Sequence, residues 1–479
     1  MANTTIDDGR FSWRLLWMTT SAALGGFLFG FDSSIINGTV DAIQQAYGLS
    51  PAMLGFTVSF ALLGAMVGAW YAGVCAERFG RVRTMLIAAA LLAISALGSG
   101  WAYTVWDLIG WRFVGGIGVG FASVIAPAYI VEVSPAHLRG RLGTLQLLSI
   151  VIGIFAALLV SAIIARSAGG ASASAWFGLA AWRWMFLSEL APALIYAGLA
   201  LSLPESPRYL VEKSRESEAE HVLATVVGIA RGAAARAKIA EIRDTVAHDR
   251  TKRFGDITSP RYGLLPLVWV GIALSVFQQF VGINVIFYYS TTLWQSVGFA
   301  ESDSFTISVI MALTNIVATF IAIALIDRLG RRQLLLIGSA IMTITLTAMA
   351  LAFSQAVMRD GTLSLPGLWG PIALVAGNLY VIGFGASWGP VVWVLLAEMF
   401  PNRIRAMALG IGAAVQWLAN FVVSMTFPIL ATVGLDAAYG LYALCAFASL
   451  LFVWRMVAET NGRRLEQMTT KKASSAVSV

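Results

Sequence analysis

Long uncharged runs separated by short charged clusters set the pattern of this chain. Leu54–Val74, Met85–Leu97, Leu142–Ile164 and Leu334–Phe353 hold no charged residue. The first and third are long enough to cross about 30 Å of hydrocarbon as helix. The apolar positions are not confined to one face of short amphipathic periods, as a soluble fold would require. Reading the runs as helices leaves connections near 38–50, 77–84, 101–105, 132–141, 166–181, 204–261, 299–304, 328–333, 357–367, 400–405 and 433–436. That spacing predicts twelve spans.

Composition agrees. The 479 residues are 58% hydrophobic and 12% charged, against about 25% charged in a soluble domain. The formal net charge of +7 calls for no nucleic acid once the positions are considered. All but four of the 32 Lys and Arg fall on alternate connections and both tails, the four being Arg112, Arg166, Arg183 and Arg359. This positive-inside bias predicts an even number of spans with both termini in the cytoplasm. Arg14 leads into a long span rather than a short cleavable one, so no removable signal is expected. Cys75 and Cys445 read as small buried hydrophobes rather than a disulfide. His137, His221 and His248 lie in connections, so neither a metal site nor histidine catalysis is expected.

The chain is written twice. Glu77-Arg78-Phe79-Gly80-Arg81 recurs as Asp327-Arg328-Leu329-Gly330-Arg331, and Glu132-x-x-Pro135-x-x-x-Arg139 recurs as Glu398-x-x-Pro401-x-x-x-Arg405. Pro204-Glu205-Ser206 is echoed by Ala458-Glu459-Thr460. Ordered matches at near-constant spacing imply two six-helix halves. The expected division is a cytoplasmic tail 1–14, a bundle 15–203, an intracellular helical segment 204–261, a second bundle 262–458 and a tail 459–479. The segment 205–261 alternates charge with Ala, Val and Ile, the pattern of short amphipathic helices. Each repeated cluster sits at the cytoplasmic end of a span. Acids and bases there (Glu77, Arg78, Arg81, Glu132, Arg139 and Glu205, then Asp327, Arg328, Arg331, Glu398, Arg405 and Glu459) are candidates for a cytoplasmic gate.

Polar residues within spans mark candidate chemistry, because each is costly in hydrocarbon unless partnered or wet. Asp32 follows the glycines of Gly25-Gly26-Phe27-Leu28-Phe29-Gly30-Phe31, and Arg112 opens the run Arg112-Phe113-Val114-Gly115-Gly116. At about +2.5 to +3.5 kcal/mol for each lone charge, mutual pairing is favoured. A carboxylate whose pKa shifts as the guanidinium moves could couple protonation to conformation; a static ion pair is the alternative. Glu189 is a second proton-coupling candidate. The glycine run contains no G-x-G-x-x-G and follows no strand, which removes a dinucleotide site.

The second half carries amides and indoles: Gln278, Gln279 and Asn284 around Gly282, then Trp388-Gly389-Pro390 with Trp393, and Gln416, Trp417 and Asn420. On an ideal helix Gln279 and Asn284 lie about 140° apart, so Gly282 points to a broken helix, where carriers build binding sites. Amides donate and accept as sugar hydroxyls do, and aromatic faces cover the apolar side of a pyranose. An uncharged polyhydroxylated ligand follows; inter-helix bonding is the alternative.

From about Leu24 to Glu466 the chain resembles the sugar porters of the major facilitator superfamily, above all the bacterial xylose– and glucose–proton symporters. The resemblance rests on Phe29-Gly30-Phe31-Asp32, the paired Arg-x-Gly-Arg loops, Pro204-Glu205-Ser206-Pro207-Arg208, Gln278-Gln279-x-x-Gly282-x-Asn284, Trp388-Gly389-Pro390 with Trp393, and Gln416-Trp417. It implies an all-α membrane fold with twelve transmembrane helices in two halves, working by alternating access. It implies Asp32 as proton site with Arg112 as partner. Gln278, Gln279, Asn284, Asn315, Trp393, Gln416 and Trp417 would line a sugar site with Phe29 at its edge. Uniport relatives usually lack an acid where Asp32 stands. The family's sugar-binding Gln in the fifth span is Leu147 here, with Gln146 about 100° away on an ideal helix as a partial substitute; Val82 and Ala458 are lesser departures. The expectation is a monosaccharide–proton symporter in the cytoplasmic membrane, not an enzyme. It is expected to be a monomer among lipids, with no cofactor, driven by the proton gradient. A facilitative uniporter and a transporter-like sugar sensor are the alternatives.

Overall fold

The computed structural model describes residues 12–135, 138–249, 257–259, 263–359, 362–401 and 404–460. Its helices are α1 Trp13–Ile35, α2 Val40–Tyr47, α3 Pro51–Phe79, α4 Arg81–Gly100, α5 Val105–Val133, α6 Arg139–Ala168, α7 Ala181–Ser188, α8 Leu190–Ser202, α9 Pro207–Glu212 and α10 Glu216–Val222. There follow α11 Ala233–Asp249, α12 Pro266–Phe280, α13 Ile283–Ser296, α14 Glu301–Leu329, α15 Arg331–Ser354, α16 Trp369–Gly383, α17 Gly389–Met399, α18 Arg405–Val433 and α19 Leu435–Met456. Two short antiparallel hairpins join them, β1 Thr258–Ser259 with β2 Gly263–Leu264, and β3 Val357–Arg359 with β4 Thr362–Ser364.

Eleven helical stretches among the described residues are long and apolar enough to cross a membrane, and the 23-residue α1 makes the twelfth span. Their outward apolar side chains stay uncovered: Leu201, Ile344 and Leu444 are 72%, 69% and 64% exposed. A water-soluble protein would bury such side chains, whereas hydrocarbon solvates them. Three spans are interrupted. Ala181–Ser202 breaks at Glu189, Pro266–Ser296 at Gly282, and Trp369–Met399 at a π-helical turn over Phe384–Trp388. Every one of these breaks carries polar chemistry.

The chain forms two compact units. One comprises residues 1–33, 64–154 and 186–253; the other comprises 34–63, 155–185 and 254–479. Within the first, α4 packs on α5 and α8, and the short helices α9, α10 and α11 pack together, as the charge alternation in this segment predicts. Within the second, α15 lies against α19 and α16, α12 against α18, and α13 against α14 and the 3₁₀ turn Ile36–Thr39.

The connection expected at 38–50 is instead the helix α2. Its Val40, Ala42 and Ile43 are buried, and Gly48, at φ +61°, closes it in the left-handed region that glycine adopts without strain. The connection at 357–367 contains the β3–β4 hairpin. At α2 the side chain of Asp41 accepts from Gln295 Nε2 at 3.1 Å. Burial pushes its carboxyl up to about 6, with Glu301 adding to the rise. A raised carboxyl favours this arrangement fully below the ordinary value of 3.8, and the contribution is lost as pH rises through about 6. Thermal unfolding should therefore show a stability decrement between pH 4 and pH 7 (about those limits) that Asp41→Asn removes, since Asn cannot ionise. Equal pH slopes for both proteins would contradict this.

Candidate functional site

In the first unit α1 approaches α6 backbone to backbone: a Cβ on Gly30 would fall 2.0 Å from the carbonyl oxygen of Ile150. Two residues further on, Asp32 accepts from Arg112 Nη1 of α5 at 2.6 Å. The same guanidinium donates through Nη2 to the Asp32 carbonyl at 3.3 Å and stacks 5.6 Å from the Phe186 ring centroid. Both side chains are only 2% exposed. The expected pair thus exists, and it is buried. Glu189, at the break between α7 and α8, is buried beside it and interacts electrostatically with both members. Arg112 Nε and Glu189 Oε1 have no hydrogen-bond partner among the described residues. Two carboxyls and one guanidinium therefore share a buried site, so a proton on either acid would neutralise it.

Gln146 and Phe29 belong to this unit too. Gln146 is buried beside Gly26, and neither amide atom has a partner among the described residues. Leu147, the next residue, and Phe29 are half-buried.

The second unit gathers the amides. The break predicted at Gly282 is real: α12 ends at Phe280, Gly282 takes φ +86°, and α13 starts at Ile283. The turn swings Asn284 back, and its Nδ2 donates to Gln279 Oε1 at 2.5 Å, although a straight helix would hold the two apart. Gln279 Nε2 donates weakly to Gln278 Oε1 at 3.4 Å, which also accepts from Gln416 Nε2 of α18. Gln278 Nε2 donates to the carbonyls of Trp388 at 2.9 Å and Gly389 at 3.2 Å. Those carbonyls stand at the end of the π-helical turn, whose wider coil leaves them accessible. The Trp388 indole is fixed by donating to Ser339 Oγ at 2.9 Å and the Leu335 carbonyl at 3.2 Å.

Gln278, Gln279, Asn284 and Gln416 are thus one chain of amides. The other expected residues divide around it. Asn420 donates to the Tyr288 hydroxyl at 3.4 Å and accepts from Ser424, so it belongs to a neighbouring network. Asn315 is buried on α14 against Gly385. Trp393 is 37% exposed and Trp417 is half-buried.

The repeated acid–base motifs fold alike. Arg81 forms a two-pronged bond to Glu132, Nε to Oε2 at 2.9 Å and Nη2 to Oε1 at 2.8 Å. Glu205 accepts the backbone N–H groups of Arg81 at 2.9 Å and Val82 at 3.3 Å, capping the start of α4. The second copy keeps the arrangement with one prong in place of two: Arg331 Nη2 donates to Glu398 at 2.8 Å, Arg331 Nε has no partner among the described residues, and Glu459 accepts the N–H groups of Arg331 at 2.9 Å and Arg332 at 3.0 Å. Asp327 adds a contact to Arg331 at 3.0 Å. Glu77, Arg78 and Arg328 are exposed, and Arg405 donates to the carbonyl of Phe400 at 3.1 Å. The Arg139 side chain lies outside the described residues.

Sequence reasoning did not find the hydroxyls that complete these clusters, Ser206 on Glu132 and Thr460 on Glu398 at 2.6 Å. Their equivalent places after Glu205 and Glu459 were the available signal. It also missed Asn37, fully buried, which donates to the Phe287 carbonyl at 3.0 Å and accepts from Thr291 Oγ1 at 2.9 Å.

Comparison with known proteins follows this geometry. The model of the family described as "Sugar (and other) transporter" matches residues 18–471. The glucose transport protein of Synechocystis sp. is 55% identical over 456 residues, covering 95% of this chain and 97% of that protein. The D-xylose-proton symporter of Escherichia coli is 36% identical over 485 residues, 94% of each. The structure described as the inward open conformation of the xylose transporter XylE from E. coli aligns with TM-score 0.80 at 37% identity, over 95% of this chain and 99% of that one. A match this long and this complete, over a twelve-span helical chain, leaves one conclusion: the chain belongs to the sugar transporter family of the major facilitator superfamily.

Proposed function

We propose that this protein carries a monosaccharide together with a proton across the cytoplasmic membrane, with both termini on the cytoplasmic side. The observation that carries the proton is the buried Arg112–Asp32 ion pair with Glu189 beside it. A buried salt bridge is a poor structural element, because apolar residues of similar volume are often at least as stabilising. It is a good switch. Protonating Asp32 removes the charge that restrains Arg112, and the freed guanidinium can turn to Glu189. Deprotonation restores the first pair. The two arrangements would accompany the two orientations of the carrier in alternating access.

The sugar is read from the chain Asn284–Gln279–Gln278–Gln416, whose Gln416 end keeps a free valence: Gln416 Oε1 is unpartnered among the described residues. Amide donors and acceptors without a cation suit neutral hydroxyls. Trp393 and Trp417 would supply apolar faces. D-glucose and D-xylose are the first sugars to test, on the names of the relatives. The working species is a monomer in lipid that needs no cofactor.

The test is uphill uptake in proteoliposomes. With an acidic exterior and interior-negative potential, labelled D-glucose or D-xylose should accumulate above the external concentration and leak back when a protonophore is added. Equilibration without accumulation indicates a uniporter, and binding without uptake a sensor.

The bidentate Arg81–Glu132 pair should hold the cytoplasmic side together in one state. Glu132→Gln keeps the shape and removes the charge, weakening a pair that is 9% and 13% exposed. The expected result is a carrier biased toward the inward-open state, with counterflow slowed by about tenfold, as for a lost coupling of roughly 1.4 kcal/mol. Unchanged kinetics would count against a gating role.

A further inference from the structure

The break at Gly282 is held from both sides by tyrosines that the sugar reading does not use. Val281 falls between the ladders of α12 and α13, and its carbonyl accepts the Tyr380 hydroxyl of α16 at 2.7 Å. Both residues are wholly buried. On the other side the Tyr442 ring of α19 lies under Gly282, where a Cβ would come within 2.7 Å of Cδ2. Gln278 and Gln279 precede this break and Asn284 follows it. The angle taken at Val281–Gly282 therefore decides whether Asn284 meets Gln279.

Tyr380 also stands at the end of α16 that leads into the π-helical turn Phe384–Trp388. The carbonyl of Trp388 holds Gln278. A single span thus fixes the break at one point and the first amide at another.

We infer that Tyr380 is a positioning residue for the sugar site: by donating to the Val281 carbonyl it sets the bend that brings Asn284 and Gln279 onto one ligand. This rests on the reading of those amides as the sugar's partners. Without the hydroxyl the buried carbonyl lacks a donor, and the break loses its reason to hold this angle. As the segment straightens, Gln279 and Asn284 diverge toward the roughly 140° of a regular helix. Tyr380 itself need not touch the sugar.

The experiment is equilibrium binding of D-glucose and D-xylose to the full-length purified carrier, with counterflow rates alongside. Tyr380→Phe keeps the ring and removes only the donor. It should raise Kd about tenfold while the counterflow rate at saturating sugar stays within about twofold, a split that general destabilisation does not produce. Tyr439→Phe is the control: that hydroxyl, in the same aromatic cluster, has no partner among the described residues, and its removal should leave Kd unchanged. Gln279→Ala tests the underlying reading. Weaker binding in Gln279→Ala with wild-type Kd in Tyr380→Phe overturns the inference and leaves the amide site standing. Wild-type Kd in Gln279→Ala overturns the amide site and the inference with it. Should Tyr380→Phe not fold, Gly282→Ala attacks the same bend through its positive φ and the Tyr442 ring, and unchanged affinity there overturns the inference equally.

Discussion

Asp32→Asn is expected to abolish concentrative sugar uptake while leaving downhill exchange. Asn preserves the shape and one acceptor for Arg112 Nη1, which sits 2.6 Å from the carboxylate in the wild type, but it can neither bind nor release a proton. A neutral sugar travelling with one proton carries one positive charge, worth about 2.3 kcal/mol per 100 mV. That corresponds to roughly 50-fold accumulation per 100 mV. Without the proton the ratio falls to one. Sugar-loaded vesicles should still exchange label, because the amides of the second unit are untouched. The measurement is the steady-state ratio under an imposed potential, with counterflow as the control. Arg112→Ala differs in kind: it leaves a buried carboxylate without its cation and should destabilise the protein by about 3–5 kcal/mol unless Asp32 protonates.

The second large effect is at Gln278. Its side chain donates to two carbonyls and accepts from two amides. Truncation to Ala removes one sugar ligand and releases Gln279 and Gln416 from their common acceptor. With about 1–3 kcal/mol lost for a buried group left unpaired, sugar affinity should drop between roughly fivefold and about 150-fold. Isothermal titration with D-glucose and D-xylose checks it. A Kd within twofold of wild type would mean that these amides serve helix packing alone.

How legible this was depends on the residue. Uncharged runs such as Leu142–Ile164 declare helices because no soluble fold tolerates them. Asp32 and Arg112 announced each other because a lone charge in hydrocarbon must find a partner. The Gly282 break was legible because amides on both sides made a straight helix unhelpful. Other features left no trace in the pattern. The π-helical turn at Phe384–Trp388 departs from the α-helix by one residue in an apolar stretch, where no polar period exists to shift. Tyr380 looks like packing, since its hydroxyl donates to a backbone carbonyl that no side-chain pattern reveals. Ser206 and Thr460 are small hydroxyls in polar connections, and only the fold puts them on Glu132 and Glu398. The eight-residue α2 lies within the connection that the spacing of the spans predicts at 38–50.

The most direct measurement is proton movement evoked by sugar alone. Purified carrier is sealed into vesicles containing a fluorescent pH reporter, with no gradient of any kind at the start, and D-glucose or D-xylose is added outside. The account predicts immediate acidification of the lumen, scaling with sugar entry and absent from vesicles bearing Asp32→Asn. Sugar entering at full rate while the internal pH stays constant would contradict it.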